Sequence, residues 1–98
     1  MTQFEVELSP GAAKAFRKLP AEVRSRLSAA LRSLAEHAGE PGRISGKRVK
    51  TIKGTADTFH RLRVGDYRVM YDVIAQDRVV LVLGIVHRSE LERWLLRR

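Results

Sequence analysis

Apolar and acidic residues alternate through FEVEL (4–8), placing Phe4, Val6 and Leu8 on one face. That period of two marks a half-buried strand. The period then changes. Ser9-Pro10 has the form of a helix N-cap followed by proline at the first helical position. Ala12, Ala13, Phe16 and Leu19 give the short helix after it one apolar side. Pro20 ends that helix and opens the next, with Glu22 in the first turn, where the helix dipole favours a carboxylate. Val23, Leu27, Ala30, Leu31, Leu34 and Ala38 recur at helical spacing, predicting an amphipathic helix over 21–37. Arg24, Arg26, Arg32 and Glu36 occupy its other side. Joined by a tight proline turn, the two helices form a helical hairpin.

GEPGRISGK (39–47) reads as loop, and KRVKTIKG (47–54) as a weak strand or extended segment. Strands follow over 59–64, 67–74 and 79–86, separated by Gly65-Asp66 and by AQDR (75–78). The final RSELERWLLRR predicts a short helix with Leu91, Trp94 and Leu95 on one side. The resulting order, β-α-α-β-β-β-α, lacks βαβ alternation after its start. It predicts an α+β fold: an N-terminal strand, a helical hairpin, then a mostly antiparallel sheet and a short C-terminal helix, with helices on one sheet face. At 98 residues, one domain over 1–98 is expected.

Composition narrows the class. With 44% apolar residues the chain can build a core. Its longest apolar run, VVLVLGIV (79–86), is far shorter than the ~18–20 residues of a membrane span. MTQFEVELS lacks the pattern of a secretory signal, and without cysteine there are no disulfides or thiolate sites, so a cytoplasmic protein is expected. The 19 Lys and Arg against 11 Asp and Glu leave +8, which favours a polyanionic partner.

The basic residues concentrate in HRLRVGDYRVMY (60–71). Taking Gly65-Asp66 as a two-residue hairpin turn sets Val64 opposite Tyr67, Arg63 opposite Arg68, Leu62 opposite Val69, Arg61 opposite Met70 and His60 opposite Tyr71. Opposed residues share a face and faces alternate along a strand. Leu62, Val64, Tyr67, Val69 and Tyr71 therefore belong under the helices, and Arg61, Arg63 and Arg68 emerge on the other face. The opposed pair Arg63 and Arg68 destabilises the hairpin unless an anion bridges it. Arginine forks bind phosphate bidentately and keep their charge, so this cluster suits a phosphodiester and its transition state.

A two-residue turn at Gln76-Asp77 would set Ile85 opposite Arg68 and carry His87 onto the arginine face. Leu81 and Leu83 would join Met70 there as an apolar floor. A slip of one residue would exchange the faces. His87, followed by Arg88, is the acid/base candidate because imidazole titrates near neutrality. His60 reads as a packed histidine and His37 as a favourable charge at a helix C-terminus. No metal constellation or phosphate-binding glycine loop is present, so no cofactor is expected.

SPGAAKAFRKLPAEVRSRL, KGTADTFHRLRVGDYRVMYDV and VLVLGIVHRSEL resemble the RelE/ParE superfamily of type II toxin–antitoxin toxins over nearly the whole chain. RelE-like members are basic ribonucleases that cleave mRNA at the ribosome. The 2′-hydroxyl attacks the adjacent phosphate, so no metal is needed. The resemblance carries catalytic roles onto Arg61, Arg63, Arg68 and Arg88, and leaves His87 for proton transfer, since Glu92 and Trp94 stand where many members have a tyrosine. Lys47, Arg48, Lys50 and Lys53 would bind the RNA backbone. The implied partner is a cognate antitoxin in a toxin–antitoxin hetero-oligomer. The alternatives are a ParE-like inhibitor of DNA gyrase without nuclease activity, or a degenerate member that only binds antitoxin.

Overall fold

The computed structural model describes residues 4–38 and 59–97, and the backbone of 49–52. Strand β1 (Glu5–Leu8) leads into helix α1 (Pro10–Arg17) and helix α2 (Ala21–His37). Strands β2 (Val49–Ile52), β3 (Phe59–Val64), β4 (Tyr67–Ile74) and β5 (Val79–His87) follow, then helix α3 (Leu91–Leu96). They form one five-stranded sheet in the order β1-β5-β4-β3-β2. Only β1 runs parallel to its neighbour, and the other pairings are antiparallel. The weakly strand-like basic segment thus becomes an edge strand. Among the described residues no helix is long and apolar enough to cross a membrane.

Ser9 caps α1, its Oγ accepting the Ala12 amide at 3.1 Å while donating to the Leu83 carbonyl at 3.2 Å. One side chain so starts the helix and fixes it against β5. Arg24 closes the other end, donating to the carbonyls of Arg17 and Leu19 at 3.3 and 3.0 Å. The predicted apolar side of α2 packs on the sheet: Leu27, Leu31 and Ala38 share the main core with Leu62, Val69, Tyr71, Val80 and Val82, and Ala35, outside the predicted set, is buried with them.

The expectation of helices on one face holds for α1 and α2 but not for α3. Phe59, Met70 and Leu91 form a second buried cluster on the opposite face, joined by Leu83, Val86, Trp94 and Leu95. The reason is the apolar floor on that face. Met70, Leu83 and Val86 would face water there, and the apolar side of α3 covers them.

Tyr71 is fully buried, and among the described residues its hydroxyl has no hydrogen-bond partner. Burial raises its ionisation from the ordinary 10.0 to about 12. Above pH 10 the unfolded chain's tyrosine ionises while the folded one stays neutral. The stability at stake is whole below pH 10 and is lost between pH 10 and about 12, at ~1.4 kcal/mol per pH unit. Tyr71→Phe should be neutral or up to ~1 kcal/mol stabilising at pH 7, because an unmade hydrogen bond disappears. Its Tm advantage should widen as the pH climbs through that window. A gap between the two proteins that stays constant across the window would contradict this account.

Candidate functional site

The arginine hairpin is built as its sequence implies. Gly65 adopts φ +59° at the first central position of the turn, a conformation glycine takes without strain. The β3–β4 register runs Val64 to Tyr67, Arg63 to Arg68, Leu62 to Val69, Arg61 to Met70 and His60 to Tyr71. Arg61, Arg63 and Arg68 consequently share the face opposite α1 and α2.

Arg68 folds back over the turn, its Nη1 donating to the carbonyls of Gly65 and Tyr67, both at 3.0 Å. Burial lowers its pKa, and the charges of Arg61, Arg63 and Arg88 lower it further, with Asp66 partly offsetting them. The mutual repulsion inferred from Arg63 opposite Arg68 is therefore present, and Arg88 adds to it. Arg88 arrives through the end of β5: its amide donates to the Asp66 carbonyl at 2.7 Å, and its Nε lies 3.6 Å from Asp66 Oδ1. Both side chains are exposed, so this ion pair positions Arg88 more than it stabilises the fold.

His87 is not on that face. From Ile74 opposite Val79 to Tyr71 opposite Val82 the β4–β5 register matches the sequence expectation. A β-bulge between Met70 and Tyr71 then shifts it, so Met70 meets Gly84, Arg68 meets Val86 rather than Ile85, and Tyr67 meets His87. One extra residue, Leu83, turns the end of β5 over. The His87 ring stands perpendicular to that of Tyr67 with centroids 5.4 Å apart. Its Nδ1 accepts the Ser89 amide at 3.2 Å and lies 2.9 Å from Ser89 Oγ, capping the short 3-10 turn over Arg88–Glu90. That pattern assigns the proton of the neutral ring to Nε2.

The apolar floor is also not open, since α3 is seated on it. Trp94 meets Phe59 edge to face with centroids 5.7 Å apart, and its ring lies directly over Gly84. His60 packs against Tyr71 with centroids 5.3 Å apart. Lys47, Arg48 and Lys53 lie outside the described residues, and the backbone of Lys50 pairs with Arg61 in β2 and β3. Among the described residues no cluster of His, Asp and Glu could hold a metal. The residue that sequence reasoning missed is Arg26. Its guanidinium reaches the hairpin turn, with Nη2 3.6 Å from where a Cβ on Gly65 would stand. No local pattern links α2 to a turn so distant in sequence.

The chain matches the family described as ParE toxin of type II toxin–antitoxin system, parDE, over residues 6–92. No curated protein sequence matches it significantly. Its fold is similar to RelE in the archaeal RelE–RelB complex of Pyrococcus horikoshii OT3, at 31% identity and TM-score 0.69, covering 91% of this chain and 98% of that one. The isolated E. coli RelE toxin is similar at 25% identity and TM-score 0.66, with 97% of each chain covered. The toxin of the intact E. coli RelBE complex gives 28% identity and TM-score 0.59, covering 86% of this chain and 95% of that one. Together with the arginine hairpin, these likenesses make the chain a member of the ParE toxin family, within the RelE/ParE superfamily of type II toxins.

Proposed function

We propose that this toxin is an endoribonuclease that cleaves mRNA at the ribosome, in the cytoplasm, and is held in check by a cognate antitoxin. The observation that carries the reading is the placement of Arg61, Arg63 and Arg68 on one face of the hairpin, with Arg88 drawn to the same turn by Asp66. Such a site gains most by taking up an anion whose charge grows during reaction. In the reaction the RNA 2′-hydroxyl gives its proton to water and attacks phosphorus, forming the 2′,3′-cyclic phosphate as the bond to the 5′-oxygen breaks and that oxygen takes a proton from water. Arginines cannot accept the 2′-hydroxyl proton. Their part is to orient the phosphate and stabilise the pentacovalent state. His87, the candidate from sequence, stands on the sheet face away from these arginines, so at the phosphate they hold the protons move through water. Lys47, Arg48, Lys50 and Lys53 would hold flanking phosphates. The relatives solved as RelE–RelB complexes support an antitoxin partner.

A second reading has its own support. The matched family is ParE, and His87 stands on the face away from Arg61, Arg63 and Arg68. A ParE-like inhibitor of DNA gyrase would need no proton-transfer group. Mapping mRNA 5′ ends after a pulse of toxin expression separates the two. Cuts within translated codons are expected. Intact mRNA with double-strand breaks would establish the gyrase reading, and absence of growth arrest would mark a degenerate antitoxin binder.

A further inference from the structure

The basic surface does not stop at the hairpin turn. On the α2 side of Gly65-Asp66 lies a cleft of about 720 Å³ bordered by Arg26, Ala29, Ala30, Arg63, Val64, Gly65 and Asp66. Arg26 leans over the turn from α2, close to Gly65. Among the described residues Arg26 makes no ion pair, and Asp66, the carboxylate bordering the cleft, is already beside Arg88. Arg63 borders the cleft and is also opposed to Arg68 in the hairpin register. The two basic surfaces therefore lie on either side of a two-residue turn.

We propose that Arg26 forms a second phosphate subsite on the helix side of the turn, gripping the RNA backbone next to the phosphodiester that Arg61, Arg63 and Arg68 hold on the other side. The inference rests on the ribonuclease reading. Its physical content is continuity: a flexible polyanion with a charge on every repeat can pass over Gly65-Asp66 from one cluster to the other. Ala29 and Ala30, small side chains, line the cleft beside Arg26. A phosphate contact made by a single arginine adds to affinity without choosing sequence.

The test is binding of a 2′-O-methyl oligoribonucleotide, which the toxin cannot cleave, followed by fluorescence anisotropy across a salt series. Each phosphate contact contributes about one to the slope of log Kd against log salt. Arg26→Ala should lower that slope by about one and weaken binding several-fold at low salt, with Tm unchanged, and Arg26→Lys should restore most of the slope. Arg32→Ala removes an equal charge from the same helix but away from the cleft, and should leave the slope nearly unchanged. An unchanged slope in Arg26→Ala overturns the subsite, as does an equal drop in both alanine variants, which would mean only bulk charge. Should the unaltered toxin fail to bind the oligonucleotide at any salt, the subsite falls, while the ribonuclease reading is judged separately by the mRNA 5′-end map.

Discussion

Arg68→Ala should abolish growth arrest while leaving the protein folded. Removing a preorganised charge from a site where negative charge builds up costs about 10²–10³ in rate. Arg68 is the centre of this cluster, for it feels Arg61, Arg63 and Arg88 together. Its stability contribution is small by comparison. Two hydrogen bonds to the turn carbonyls would be lost, but the repulsion across the Arg63–Arg68 pair would be lost with them. Tm should thus move by no more than a few degrees. Arg68→Lys should fall between the two proteins, keeping a charge but not the planar fork. Single-turnover cleavage, growth arrest and thermal melting measure the three quantities. An Arg68→Ala toxin as potent and as stable as the unaltered one would remove the central claim.

Gly84→Ala should unseat α3. A Cβ at that position would lie 2.5 Å from Cε2 and Nε1 of Trp94 and 2.6 Å from Cζ2, closer than real carbon contacts allow. The obstacle is a rigid indole, not the end of a flexible chain, and it is held edge to face against Phe59. Overpacking of this kind costs about 1–3 kcal/mol. The fold can relieve it only by tilting the indole or lifting α3 from Met70, Leu83 and Val86. Trp94 is the only tryptophan of the chain, so its fluorescence reports the outcome directly. A red shift with a lowered Tm is expected. The double variant Gly84→Ala/Trp94→Ala should be less destabilised than the two single effects added together. If Gly84→Ala leaves both signals unchanged, α3 is not seated on Gly84 in solution.

Most of the site's geometry rests on short-range order that a single chain segment can carry. A strand's period of two and a glycine at the first turn position suffice to count Arg61, Arg63 and Arg68 onto one face. The second hairpin was legible only halfway. Its register holds from Ile74 to Tyr71 and then breaks at the bulge, which sends His87 to Tyr67 instead of to the arginines. Within VVLVLGIV every residue but one is apolar, so no polar position marks where the faces exchange. Both faces are apolar because both are covered, one by α1 and α2, the other by α3.

The elements, the basic face of the first hairpin and the family are all legible in the chain, because each follows from local periodicity or from a contiguous motif. Which groups join that face is a matter of packing between distant segments. Asp66 draws Arg88 to the turn, α2 brings Arg26 over Gly65, and the bulge at Leu83 takes His87 away. Each of these depends on contacts between segments distant in the chain, where packing against a covering helix outweighs the pattern of neighbouring residues.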